Sequence, residues 1–477
     1  MFHILKWASI HNKSEGNRIV VNDIAVISEE GQVIKYSELQ KYLKEIASKV
    51  NQRSLVGIIT SNTMGCLTGY LSFLYNKHVV FMLPELINEE KLENYIKKYH
   101  FNYLWVSSEW LEENQDWKKC KKICKSFDYN LLQISEQTVE MHPELAVLIS
   151  TSGTTGSEKV VRQSYKNIHA NTLAIIDYLN INDKDRVITA LPMSYTYGLS
   201  VIHTHLFSGA TILLTKSKPY ELRFWQFFKK YSATSFSTVP YMYEMIRKLG
   251  IFNKDITELR KLTVAGGALS KLDEEFYARY SEVNNKEFFV MYGQTEATAR
   301  ISYRPSNKMR SKAGSIGIAI PNGRMWLENS TGEIIEQPYV EGEIVYMGEN
   351  VAMGYAYGYE DLIKGYDWGN VLHTGDMGYM DEEKFFYITK RRDKVIKLNG
   401  HRVDLLDMEE KIKHRFTMCQ VVCSLQKCVD CVNSKRIKIE IDCEGEIGIN
   451  MEQEIIDYLS LFTGLNKRIF AVDIVGK

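Results

Sequence analysis

Along the first 300 or so residues, short apolar runs alternate with segments whose apolar positions recur at helical spacing. Leu55-Val-Gly-Ile-Ile-Thr60 reads as a buried strand and Met64 to Tyr75 as the helix after it. His78-Val-Val-Phe-Met-Leu83 reads as the next strand, followed by an amphipathic helix from Glu89 to Tyr99. Ala146 to Ser150 is a further short strand that runs into a Gly/Thr-rich loop, and Arg186 to Leu191, Thr211 to Leu214 and Leu262 to Val264 continue the series. Strand–helix alternation on this scale predicts an α/β architecture with largely parallel sheets.

The pattern changes after about residue 300. Glu341-Gly-Glu-Ile-Val-Tyr-Met347 and Lys384-Phe-Phe-Tyr-Ile388 read as antiparallel segments separated by turns, and Lys390-Arg-Arg-Asp-Lys394 is a charged punctuation. Beyond it the spacing predicts a short α+β unit. Its elements are a helix from Leu405 to His414, strands at Gln420 to Ser424 and Arg436 to Ile441, a helix from Glu452 to Phe462, and a last strand from Ile469 to Val475. A domain boundary is therefore expected near Asp393, dividing the chain into 1–392 and 393–477.

Composition narrows the classes. A chain of 477 residues suggests roughly three units at about 150 residues each, or two large ones. It can bury large cores without disulfides, and its 8 cysteines are too sparse for a secreted disulfide scaffold. Lys plus Arg and Asp plus Glu are both 59, so the net charge gives no support to a nucleic-acid partner. The N-terminal MFHILKWASIHNKSEG lacks a small-residue cleavage site, and no run of about 18 apolar residues is present. No membrane span and a cytoplasmic location are expected. No tandem repeat is visible.

The strongest local signal is Ser150-Thr-Ser-Gly-Thr-Thr-Gly-Ser-Glu-Lys159. Glycines let backbone amides approach an anion closely, hydroxyls add donors, and Lys159 adds a point charge suited to phosphate. The spacing is not GxxxxGK[ST], so a P-loop kinase or GTPase is disfavoured. A loop of this composition could equally be a polar turn after a strand.

The segment TSGTTGSEK resembles the phosphate-binding signature of the acyl-adenylate-forming superfamily, which includes acyl-CoA synthetases, nonribosomal peptide adenylation domains and firefly luciferase. Glu158 stands where that signature commonly has Pro, and Val160 where it commonly has Gly. Further resemblances follow in the family order. Ala265-Gly-Gly-Ala268 resembles the segment lying along the adenine, and Met291-Tyr-Gly-Gln-Thr-Glu296 resembles YGxTE. Leu372-His-Thr-Gly-Asp376 resembles TGD, and Arg391 falls on the ribose- or phosphate-contacting arginine of GRxDDxIK, where Lys390 replaces Gly and Lys394 the second Asp. A lone Thr-Gly-Asp is ordinarily a turn, but five motifs in order, over about residues 35–475, multiply independent coincidences.

The resemblance implies a large N-terminal domain of two doubly wound, mostly parallel sheets with a small β-barrel-like subdomain, followed by a small mobile α+β domain. It implies ATP-dependent activation of a carboxylic acid to an acyl-adenylate with loss of pyrophosphate, then transfer to the thiol of CoA or of a phosphopantetheine arm on a separate acyl carrier protein. ATP would be held by Thr151, Ser152, Gly153, Thr154, Thr155 and Gly156, by Gly266, Gly267 and Ala268, and by Tyr292, Gly293, Asp376 and Arg391. Lys159 and Thr295 would act on the phosphates, Glu296 would hold Mg²⁺, and Asp393 would be the hinge.

The C-terminus departs from the family. The PxxxxGK loop that carries the adenylation lysine is missing, and the chain ends at Val472-Asp-Ile-Val-Gly-Lys477. Lys477 takes that role only if the loop is much shortened; otherwise the small domain is truncated or lacks the lysine, and adenylation is expected to be slow. No fused carrier domain is expected.

Leu191-Pro-Met-Ser-Tyr-Thr-Tyr-Gly-Leu199 resembles the LPxxHxYGL segment of acyl-CoA synthetases, with Tyr195 at the frequent His. Amino-acid-activating domains usually carry an Asp in this region, and no Asp or Glu lies between Arg186 and Tyr220, so a small non-amino carboxylic acid is favoured. Tyr195, Tyr197, Ser237, Val239, Tyr241 and Gly266 are candidate pocket lining. His203 and His205 read as core histidines rather than metal ligands, and Cys428-Val-Asp-Cys431, a single CxxC, is weak support for zinc. Two alternatives remain: an amino-acid adenylating enzyme feeding a carrier protein, and a catalytically weak adenylate-binding protein.

Overall fold

The computed structural model describes residues 23–50, 52–151, 159–391, 395–398, 401–416, 420–427, 435–443 and 450–476. These divide into two compact units: one of residues up to 150 with 160–374 and 378–388, and one of 151–159, 375–377 and 389–477.

The first unit is organised by two large sheets with parallel centres. In the nine-stranded sheet, Ile24–Ser28, Thr211–Leu214, Arg186–Ile188, Ser235–Thr238, Lys261–Val264 and Glu287–Tyr292 are successive parallel neighbours. Antiparallel strands flank them, Val33–Lys35 on one side and Ser302–Arg304 with Ile318–Ala319 on the other. The eight-stranded sheet is parallel across Leu145–Thr151, Val79–Leu83, Leu55–Ile59 and Tyr103–Ser107, with antiparallel Tyr129–Gln133 and Lys121–Ser126 at one edge. Its other edge is formed by Lys159–Ser164 and Gly354–Ala356. Leu55–Ile59 and Val79–Leu83 are buried at every position, because crossover helices cover both faces of a parallel sheet and leave no wet side. The crossover helix Met64–Tyr75 is correspondingly buried from Met64 to Leu74.

The region expected to be barrel-like is a five-stranded sheet in the order Ile334–Ile335, Arg324–Glu328, Gly342–Met347, Val371–Met380 and Phe386–Arg391. The strand expected at Lys384 to Ile388 begins later, because Lys384 takes φ 61° in a turn that the Asp381 carboxylate closes by accepting from the Glu383 and Phe385 amides at 3.0 and 2.9 Å. The strand expected at Arg186 to Leu191 ends at Ile188, ahead of the turn from Pro192 to Tyr195, which the Tyr195 amide closes by donating to the Pro192 carbonyl at 3.2 Å.

The second unit has a three-stranded sheet, Gln420–Lys427 antiparallel to Lys435–Cys443 and the latter parallel to Phe470–Gly476. Helices Leu405–Phe416 and Met451–Thr463 pack on it through Met408, Ile412, Ile455 and Leu459 against Val421, Ile437 and Ile439. Asp393, Lys477, Cys419, Cys428 and Cys431 lie outside the described residues. No helix among the described residues is long and apolar enough to cross a membrane.

A buried charge cluster ties the N-terminal edge of the nine-stranded sheet. Asp185, fully buried just before Arg186–Ile188, accepts from Lys261 Nζ and Arg260 Nη2, each at 3.0 Å, and from the Asn182 amide at 3.0 Å. Burial alone would raise its pKa; Lys261 and the Asn182 amide outweigh it and hold the carboxyl below its ordinary range. A depressed folded-state pKa gives stability that is present above the unfolded value and lost as pH falls through the folded one. Asp185→Ala should therefore cost about 3–5 kcal/mol at neutral pH, because it leaves Lys261 buried without its partner. In urea titrations the gap from wild type should shrink as pH falls below about 4, where the unfolded carboxyl protonates.

Candidate active site

Parallel strands bring their C-terminal ends to one edge, and the loops that leave this edge carry the chemically distinctive residues. Tyr195 caps the helix Thr196–Phe207 that follows Arg186–Ile188; Val239 and Tyr241 follow Ser235–Thr238; Gly266, Gly267 and Ala268 follow Lys261–Val264; and Gly293 to Glu296 follow Glu287–Tyr292.

The structure brings most of the expected acid-pocket residues together. Tyr197 and Ser237 are buried and joined through a strand residue between them: the Tyr197 hydroxyl lies 2.7 Å from Thr263 Oγ1, which donates to Ser237 Oγ at 2.8 Å. Burial pushes the Tyr197 phenol up to about 12, so it stays protonated at neutral pH. The half-buried Tyr195 ring meets Tyr197 edge-on at 6.2 Å. Gly266 has φ 89°, and a methyl group there would lie 2.6 Å from the Tyr195 hydroxyl and 3.4 Å from Val239 Cγ1, so only glycine fits the turn. Tyr241 is more exposed than these, and the contacts described for Tyr195 and Tyr197 do not involve it.

The Tyr292–Glu296 segment doubles back sharply. The Ile301 amide donates to the Tyr292 carbonyl at 2.9 Å, and Thr298 takes φ 65°. A Cβ on Gly293 would stand 2.0 Å from the Ala299 carbonyl oxygen. Buried Asn350 clamps the turn, donating to the Ala297 and Arg300 carbonyls at 2.9 and 2.8 Å, while Gln163 donates to the Thr295 carbonyl at 3.1 Å. The turn holds Glu296 only 7% exposed. Tyr355 donates to its Oε1 at 2.9 Å, and Oε2 has no hydrogen-bond partner among the described residues. An unpaired carboxylate oxygen out of water is costly unless a cation or donor completes it, so this donor suits a divalent cation. Tyr355 is itself anchored, since the fully buried Arg162 donates from Nε to its carbonyl at 3.1 Å.

The remaining candidates belong to segments of the second unit. Thr151 ends its strand and donates from its hydroxyl to the Lys159 carbonyl at 3.2 Å, so the two ends of the glycine-rich loop meet. Ser152, Gly153, Thr154, Thr155 and Gly156 lie outside the described residues. Asp376 is buried within Val371–Met380, and Arg391 ends Phe386–Arg391.

His203 and His205 are buried in the helix Thr196–Phe207. His203 Nε2 lies 2.7 Å from the Tyr70 hydroxyl and His205 Nδ1 lies 2.8 Å from the Val201 carbonyl. Burial lowers their pKa values to about 3 and about 4, so both are neutral core groups. Sequence reasoning missed Gln163, Asn350, Tyr355, Thr263 and Arg300. Only Arg300 carried a signal, a lone charge in the otherwise uncharged Ala-Thr-Ala-Arg-Ile stretch after Glu296.

Residues 12–356 match the model of the AMP-binding enzyme family, and the chain belongs to that family. It is 31% identical over 270 residues to the 2-succinylbenzoate–CoA ligase of Bacillus cereus, covering 56% of this chain and 54% of that protein. It is 28% identical over 272 residues to the oxalate–CoA ligase of Arabidopsis thaliana, covering 56% and 52%. The match thus spans about half the length of these relatives. The fold is that of the o-succinylbenzoate CoA synthetase of Bacillus subtilis. A double mutant of that protein bound with a product analogue superposes with a TM-score of 0.77 at 19% identity, over 99% of this chain and 94% of that one. Its complex with ATP and magnesium ion gives 0.67 at 20% identity, over 99% and 95%.

Gly293→Ala should displace the Glu296 turn. The expected result is a loss of about 1–3 kcal/mol in urea unfolding, from the clash with the Ala299 carbonyl, together with loss of any magnesium-dependent nucleotide binding measured by calorimetry.

Proposed function

We propose that the chain activates a small, non-amino carboxylic acid with ATP and passes the acyl group to a thiol. In the first step a carboxylate oxygen attacks the α-phosphorus, the bond from that phosphorus to the bridging oxygen breaks, and pyrophosphate leaves with the electron pair. In the second, a thiol sulfur attacks the acyl carbon, AMP departs, and the thiol proton passes to solvent. The observation that carries this reading is Glu296, a buried carboxylate with one oxygen fixed by Tyr355 and the other left unpartnered among the described residues, on the turn after Glu287–Tyr292. Family membership and fold support it.

Mg²⁺ at Glu296 Oε2 would neutralise charge on the nucleotide phosphates. Tyr355 orients that carboxylate, and Gln163 and Asn350 hold the backbone that presents Thr295 and Glu296. Lys159 would meet the departing pyrophosphate, and Asp376 and Arg391 would hold the ribose. Tyr195, Tyr197, Ser237 and Gly266 would line the acid site, where the absence of a carboxylate from Arg186 to Tyr220 disfavours an α-ammonium. The relatives' names point to CoA as the acceptor, with a carrier-protein phosphopantetheine as the alternative. The 393–477 region would rearrange about Asp393 between the two steps, in a cytoplasmic enzyme.

Acid-dependent exchange of pyrophosphate into ATP tests the reading. Exchange is expected with at least one non-amino acid in a panel, and Glu296→Gln should lower it about 10²- to 10³-fold, the scale seen when a single preorganised electrostatic contact is removed. Exchange driven only by amino acids, or unchanged by Glu296→Gln, would overturn it.

A further inference from the structure

Three arginines are buried among the described residues: Arg162, Arg300 and Arg304. Two of them are neutralised within the fold. Arg162 pairs with Asp367 and donates to the Gly365 and Tyr355 carbonyls, and Arg304 pairs with Glu274 at 2.5 Å. Arg300 is 2% exposed, and no carboxylate among the described residues pairs with it. Its contacts are with neutral groups. Nη1 donates to its own neighbour's carbonyl, that of Ala299, at 3.2 Å, and Nε lies 3.4 Å from Met291 Sδ, a weak acceptor. The guanidinium stacks over the Tyr197 ring at 3.9 Å, and the Tyr178 hydroxyl is a further neutral neighbour. A guanidinium has five N–H donors and keeps its charge at any accessible pH. Buried without a counter-ion, it is costly to the fold and preorganised for an anion.

Its position is informative. Arg300 lies directly beyond the turn that carries Glu296, and it stacks on Tyr197, the ring that meets the half-buried Tyr195 beside Gly266. The charge therefore sits at the residues proposed to line the acid site, and the ligand carboxylate that reacts with ATP does not satisfy it once it becomes the mixed anhydride of the acyl-adenylate. We propose that Arg300 determines specificity by pairing with a second anionic group on the substrate, so that the acid activated is a dicarboxylate. This rests on the acid-activating reading above. A second carboxylate would take the bidentate geometry that Met291 Sδ and the Ala299 carbonyl cannot supply. The same cation would repel an α-ammonium.

The test compares straight-chain monoacids with the α,ω-diacids of equal length, from three to eight carbons, and benzoate with the three phthalates. Binding to the full chain is read by calorimetry and activation by pyrophosphate exchange. In the wild type, at least one diacid should be preferred over its monoacid by about 100-fold, the scale of losing one partner of a buried charge pair. Arg300→Met should abolish that preference by raising the diacid KM far more than the monoacid KM, and Arg300→Lys should retain part of it. Equal use of monoacids and diacids by the wild type overturns the proposal without any variant, so it stays falsifiable even if Arg300→Met fails to fold. A preference that survives in folded Arg300→Met also overturns it. Arg300-dependent diacid binding without exchange for any acid would uphold the role of Arg300 while refuting activation by ATP; exchange indifferent to Arg300 would do the reverse.

Discussion

Everything chemically distinctive in the first unit depends on parallel strand pairing. A parallel sheet cannot be built from tight hairpins; each strand must be followed by a crossover that returns the chain to the starting edge. Arg186–Ile188, Ser235–Thr238, Lys261–Val264 and Glu287–Tyr292 are therefore all compelled to end on the same side. The loops bearing Tyr195, Val239, Gly266 and Glu296 meet there, although they lie up to a hundred residues apart in sequence. The opposite ends converge by the same rule, and there Asp185 gathers Lys261 and Arg260. One edge collects paired charge that holds strands in place, and the other collects polar groups whose pairing is incomplete.

That asymmetry sets the second edge apart as the candidate site. Asp185 has both oxygens engaged, and Lys312 is paired with Asp381 and Glu383. Glu296 keeps an unpartnered oxygen, and Arg300 has only neutral neighbours among the described residues. Folding energy alone does not favour such groups, since a buried polar atom without its partner is a net cost. They are held by a backbone that is itself well satisfied: Asn350, Gln163 and the Arg162–Tyr355 contact bind the carbonyls around them. The turn at Gly293 permits no side chain for the same reason, because the chain must pass within contact distance of Ala299.

Much of the fold was legible beforehand. The strands at Leu55 and Thr211 and the helices Met64–Tyr75 and Glu89–Tyr99 fall where the apolar pattern put them, because burial on both faces or on one helical stripe writes a local period. The ends of strands were less legible: one strand stops at Ile188, ahead of the turn from Pro192 to Tyr195, and the other starts at Phe386, after the turn around Asp381. The candidate residues carrying motif signals were named from sequence, and Tyr195, Tyr197, Ser237 and Gly266 do form one cluster. Tyr355 and Asn350 were invisible, since nothing local distinguishes a tyrosine or asparagine that will reach a turn more than fifty residues away.

The sequence by itself determined the family, the α/β class, the order of strands and helices and the loops on which polar residues sit, because these follow from short-range periodicity and from runs of glycine, hydroxyl and charged residues. Only the tertiary structure decided which charges are answered. Nothing in the sequence shows that Arg162 and Arg304 will meet a carboxylate and Arg300 only neutral groups, or that Asp185 will have both oxygens engaged and Glu296 one. Packing places Asp367 beside one guanidinium, Glu274 beside another and a neutral tyrosine ring beside the third. Whether a buried charge finds its partner depends on distances between segments remote in the chain, and no local pattern encodes those.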